Sequence, residues 1–87
     1  MYQNVVGAEV TIGASAHNTQ VIIIPTFNGY TPIACGVRTT GTTKFYASEC
    51  YIDYDSSGNA GVRLTLVNNT ASSATGTPRV FVLYKKQ

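Results

Sequence analysis

Val80-Phe81-Val82-Leu83-Tyr84 is a strand-forming run that is apolar on both of its faces. Alternation puts Val80, Val82 and Tyr84 on one side and Phe81 and Leu83 on the other. Such a strand needs cover on both sides. Only Lys85-Lys86-Gln87 follows it, so the run is expected at the centre of the fold rather than in a link. A domain of 87 residues supplies one core and seldom two. The second cover is therefore expected from another chain.

The rest of the chain reads as further strands, with no helical stripe. Val5 to Ile12 is a candidate interrupted by Gly7, and Thr19 to Pro25 is rich in β-branched residues that favour extended backbone. Val21-Ile22-Ile23-Ile24 within it shows no alternation, which again implies cover on both faces. Asn28-Gly29 marks a turn, and Thr31 to Arg38 follows with Pro32 near its start. Thr43 to Tyr54 is expected to carry Tyr46, Cys50, Ile52 and Tyr54 on its apolar face, and Phe45, Glu49, Tyr51 and Asp53 on a wetter one. Asp55-Ser56-Ser57-Gly58-Asn59 is the strongest hairpin signal. Ala60 to Asn68 alternates cleanly, with Val62, Leu64 and Leu66 inward. Asn69 to Thr77 reads as a polar loop, and Pro78 opens the final strand. The pattern predicts one all-β domain over residues 1–87, a small antiparallel β-sandwich or jelly-roll-like barrel of about six strands.

Charge narrows the function classes. Ten side chains are charged, 11% of the chain, against about 25% in typical soluble domains. Thr, Ser, Asn and Gly take the polar positions instead, which suits a surface that packs against neighbours. The net charge of +2 is scattered apart from the adjacent Lys85 and Lys86, so the stripe or patch of a nucleic-acid binder is missing. The longest apolar run, Val21 to Ile24, falls far short of the roughly 18 residues of a membrane span. No basic leader with an apolar stretch opens the sequence, so Sec-type export is not expected from it.

Cys35 and Cys50 invite a disulfide reading that a tight hairpin would forbid. If Thr39-Thr40-Gly41-Thr42 closes such a hairpin, Cys35 lies opposite a residue near Tyr46. Cys50 is then some 13 Å further on at roughly 3.3 Å per residue, whereas a bridge needs Cα atoms within about 7 Å. The expectation is two reduced, buried thiols. A bridge would form only if the two strands lay in different sheets and faced each other. One histidine, His17, and two distant cysteines do not make a zinc set.

Other chemistry is weaker. Asp53, Asp55, Ser57 and Gly58 resemble the start of a calcium loop, but Leu64 stands where the later carboxylate belongs. A hairpin with side chains bonded to its own backbone explains the same residues. His17 reads as an exposed loop residue with no converging nucleophile and carboxylate. Glu49, Asp53 and Asp55 read as a solvated strand face and its turn rather than a glycosidase pair. Asn68-Asn69-Thr70 has the pattern of a glycosylation acceptor. Among six tyrosines, Tyr46, Tyr54 and Tyr84 are expected in the core or at subunit contacts, and Tyr51 exposed. No catalytic residue, metal or cofactor is expected, and the chain is not read as an enzyme.

Gly29-Tyr30-Thr31-Pro32-Ile33, the hairpin strands, Val67-Asn68-Asn69-Thr70 and Val80 to Lys85, in that order, resemble a module at the carboxyl ends of tail and fibre proteins of phages and prophages of gut-type bacteria. The likeness runs from about Val10 onward. Where those proteins commonly carry larger apolar residues after the Gly-Tyr-Thr-Pro-Ile stretch, this chain has Ala34-Cys35-Gly36-Val37-Arg38. The module usually ends a long protein, and a freestanding copy is expected to attach directly to a capsid or tail. The resemblance implies a virion-surface structural protein, a homo-oligomer, namely a trimer, that contacts other virion proteins and carries no catalytic residue. Ile22, Ile24, Val80, Val82 and Tyr84 are the expected core and oligomer contacts. An alternative is a receptor- or glycan-binding tip that meets the bacterial surface through Asn28, Tyr30, Tyr51 and Asn69.

Overall fold

Seven strands form and no helix does: β1 (Tyr2–Val6), β2 (Val10–Ile12), β3 (Ala16–Ile23), β4 (Tyr30–Thr40), β5 (Phe45–Tyr54), β6 (Ala60–Asn68) and β7 (Ala74–Lys86). The computed structural model describes all of residues 1–87. All pairings are antiparallel and make two sheets. In sheet I, β7 pairs with β1, β2 and β4; in sheet II, β6 lies between β3 and β5. The expected sandwich is what forms.

β7 is the centre of sheet I, and it is longer than the sequence pattern implied. It begins at Ala74, inside the stretch read as a loop, and runs through Pro78. A proline at the centre of a sheet removes a ladder donor. The sheet accommodates it by a break in the neighbouring edge. Gly7 N–H donates to Pro78 C=O at 2.8 Å, so the missing donor of Pro78 faces the same edge, where β1 gives way to β2. From Val6↔Arg79 to Val10↔Gly76, four steps on that edge match three on β7. The extra residue is the signature of a bulge. It is also why seven strands stand where six were expected.

The core lies between the sheets. Val62, Leu64 and Leu66 of β6 meet Val80, Val82 and Tyr84 of β7, with Ile12, Ile22 and Ile24 closing the ends. Gly7 crosses close above them: a Cβ there would stand 2.6 Å from Ile22 Cδ1 and 3.0 Å from Pro78 Cγ.

Two bulges reset the side-chain parity of the edge strands. In β4 the register shifts between Pro32 and Ala34, leaving Ile33 outside the ladder; in β5 it shifts between Ala47 and Glu49. A one-residue slip sends every side chain beyond it to the opposite face. Phe45, expected on the wet face, therefore packs against the core, and Tyr46, expected on the apolar face, is 53% exposed. Tyr54 is exposed as well, so of the three tyrosines expected in the core or at contacts, Tyr84 is the one in the core.

Candidate functional site

The inner faces of β6 and β7 are equally buried, and their outer faces differ. On sheet I the register builds three outer rows: Tyr2–Leu83–Ala34, Asn4–Phe81–Gly36 and Val6–Arg79–Arg38. Tyr2 lies stacked on Phe81, with ring centroids 5.9 Å apart. Ala34 and Gly36 are too small to wall off Phe81 and Leu83, so an apolar depression opens there. Leu83 is 46% exposed and Tyr2 59%. Arg38 stands directly across from Arg79, and Lys85 across from Thr31, at opposite ends of this patch. None of the four carboxylates of the chain (Glu9, Glu49, Asp53, Asp55) belongs to these rows.

The outer face of sheet II is mixed and satisfies its own polar groups. Its rows are Ile23–Gly61–Asp53, Val21–Arg63–Tyr51, Thr19–Thr65–Glu49 and His17–Val67–Tyr46. Arg63 Nε donates to Asp53 Oδ2 at 3.3 Å. The Thr65 hydroxyl donates to Glu49 Oε1 at 2.9 Å and meets the Thr19 hydroxyl at 2.8 Å. The glycosidase reading of Glu49, Asp53 and Asp55 therefore meets three carboxylates already engaged. His17 lies on strand β3 rather than in a loop.

Asp55 organises the predicted hairpin. Its Oδ1 accepts from the backbone N–H groups of Ser57 and Asn59, each at 2.9 Å. Gly58 supplies the left-handed residue, with φ of 83°. These backbone donors, that of Asn59 first, hold the Asp55 carboxyl below its ordinary value. Asn68, at the far end of β6, is wholly buried and fully bonded. Its Nδ2 donates to Ile12 O (2.9 Å) and Ser72 O (3.0 Å), and its Oδ1 accepts from Thr70 N–H and Oγ1. The glycosylation pattern is thus a structural clasp whose amide is out of reach in the folded chain.

The five expected core or oligomer contacts, Ile22, Ile24, Val80, Val82 and Tyr84, are all in the core. Surface apolar area comes instead from their neighbours in sequence, Val21, Ile23 and Leu83. The two-sided runs carried the inward parity of these five, and the opposite parity supplies the exposed area. The four expected ligand contacts do not converge. Tyr30 lines a depression with Pro25, Phe27 and Tyr54 at one end of the sandwich, near exposed Asn28. Asn69 lies at the opposite end with His17 and Glu49, and Tyr51 stands on the outer face of sheet II. At the Tyr30 end, the Tyr84 hydroxyl donates to Pro25 C=O at 2.7 Å and Phe27 meets its ring edge-on. Burial pushes the Tyr84 phenol above its ordinary pKa.

The tight-hairpin premise for the cysteines fails. β4 and β5 belong to different sheets, and Cys35 and Cys50 face each other across the interior with sulfurs 3.7 Å apart. Both thiols are free and half-buried. Burial, then the Cys35 hydrogen bond and charge, push the Cys50 thiol up to about 12. No group of three or more His, Cys, Asp or Glu gathers as a metal site, and no helix is long and apolar enough to cross a membrane.

Comparison with protein-family models, curated proteins and solved structures finds no match to this chain.

Proposed function

We propose that this chain is a structural subunit of a tailed-phage virion, a small surface component (decoration, fibre or tail tip) that acts by assembly rather than catalysis. One observation carries the assembly half of the reading. The outer face of β7 presents exposed Leu83 and half-buried Phe81, with Tyr2, Ala34 and Gly36 around them. Burying such a patch is worth roughly 25 cal/mol per Å² of apolar area. The virion half rests on the ordered sequence resemblance from Gly29 to Lys85.

The partner that best fits this face is a second copy. Arg38, Arg79 and Lys85 flank the patch on sheet I, while sheet II sets Glu49, Asp53 and one cation, Arg63, among Val21, Ile23, Tyr46 and Tyr51. Sheet I of one copy against sheet II of the next is a head-to-tail contact, which closes into a ring when the rotation permits. A trimer is the expected ring. Sedimentation of the purified protein at micromolar concentration, alone and mixed with phage particles, tests both halves. Trimers that co-sediment with particles support the reading. A monodisperse monomer removes the assembly half, and trimers that ignore particles remove the virion half.

A receptor- or glycan-binding tip is the second reading. The depression lined by Phe27, Tyr30 and Tyr54 favours it, since exposed aromatic faces suit sugar rings. A glycan array distinguishes the two: decoration gives no specific hit, and a tip domain gives one that Tyr30→Ala abolishes.

A further inference from the structure

We propose that Cys35 and Cys50 are a redox pair, oxidised to an intramolecular disulfide that staples sheet I to sheet II. The fold aims both residues inward. Cys35 is paired in register with Val82 and Cys50 with Leu64, and both of those neighbours are core residues. The strands that carry them, β4 and β5, are edge strands of different sheets and share no ladder. Beyond the short connection through residues 41–44, the two strands meet through their side chains, and the two sulfurs lie 3.7 Å apart.

The distance left to close is small. A disulfide bond is about 2.05 Å long, so about 1.7 Å separates the present contact from a bond. Shared between two side chains, that is within the reach of modest χ1 rotations. Half-burial leaves both thiols open to a small reagent.

The co-reactant is a low-molecular-weight disulfide such as oxidised glutathione. One protein thiolate attacks it, a mixed disulfide forms and one small thiol leaves. The second protein thiolate then attacks the sulfur of its neighbour and expels the other small thiol. The protein loses two electrons and two protons, and the small disulfide gains both. The high pKa of Cys50 slows the exchange at neutral pH without altering its end point.

A bridge here ties the unfolded chain across a short loop, which constrains the denatured ensemble more than the folded one. The test uses the wild-type protein equilibrated with oxidised and reduced glutathione at several ratios, then denatured and alkylated. The expected result is a monomeric chain two hydrogens lighter, with neither cysteine alkylated, at oxidising ratios. Its melting temperature should exceed that of the reduced protein by on the order of 10 °C. Cys35→Ser, carried alongside, should leave Cys50 either alkylated or as a glutathione adduct, since no second thiol resolves the mixed disulfide. In the wild-type protein, two alkylated cysteines at every ratio, a stable glutathione adduct, or a disulfide joining two chains would each overturn the pairing. A bridged chain whose melting temperature is unchanged or lower would overturn the staple.

Discussion

β6 and β7 are the two central strands, and they solve the same problem in different ways. Each has partners on both edges and an inner face with no exposure: Val62 and Leu64 on β6, Val80 and Val82 on β7. Outside, β6 offers Arg63, Thr65 and Val67, and its neighbours answer with Asp53, Glu49 and Thr19. β7 offers Arg79, Phe81 and Leu83. Its neighbours answer with a stacked tyrosine, two small residues and a second arginine. Sheet II pairs its outer polar groups among its own residues, while Val21, Ile23, Tyr46 and Tyr51 stay exposed beside them. Sheet I exposes Tyr2 and Leu83, and no carboxylate stands in register with its arginines. Both sheets expose apolar side chains, and the difference between them lies in how each treats its charges.

The comparison breaks first if the inner faces are not equivalent. Leu64→Ala and Val82→Ala should both destabilise strongly, Leu64→Ala by about 2–5 kcal/mol for the cavity it leaves and Val82→Ala by less, because fewer atoms go. Urea unfolding measures both. Asn68→Ala should cost about 1–3 kcal/mol, since Ile12 O and Ser72 O lose their donor inside the fold. The same denaturation experiment reads it.

The outer faces should respond in opposite senses. Leu83→Lys should abolish assembly in sedimentation while shifting monomer stability by no more than about 0.5 kcal/mol, as surface changes usually do. An equal loss of folding would mean Leu83 belongs to the core. Arg38→Glu turns a like-charge pair with Arg79 into an opposite one, for a gain of about 0.2–1 kcal/mol in the monomer. It should also weaken contact with Glu49 and Asp53 on sheet II of a second copy. On sheet II, Arg63→Ala should cost under about 1 kcal/mol, because the Asp53 pair is solvent-exposed and water screens it.

The smallest expected effect is a pH dependence at the hairpin. The folded Asp55 carboxyl is held below its unfolded value by backbone donors. Its contribution is therefore present above the ordinary carboxylate value of about 3.9 and is lost as pH falls through the lower folded value. Thermal melts of wild type and Asp55→Asn between neutral pH and strong acid should converge as the acid end is reached.

Much of this was legible in the residues. β6 runs from Ala60 to Asn68 as its alternation implies, the Asp55–Asn59 hairpin forms where Gly58 allows it, and β7 divides its faces at Val80, Val82 and Tyr84. Local periodicity and turn chemistry are enough for these, because each depends on neighbours close in sequence. Other features were not legible. The bulge between Ala47 and Glu49 exchanges the faces of Phe45 and Tyr46, and nothing nearby in the chain announces it. Pro78 marks a strand start by local rules, yet β7 passes through it because the opposing edge opens at Gly7.

The amino-acid order by itself determined an all-β chain, its central strands and the excess of apolar surface on the last of them, since all three follow from side-chain alternation along single segments. Tertiary structure alone decided that β4 and β5 part into different sheets, and with that the meeting of Cys35 and Cys50 and the isolation of the arginine-flanked patch. The physical reason is that a sandwich buries its inner faces by pairing segments distant in sequence, and which edges then face each other depends on the closure of the whole.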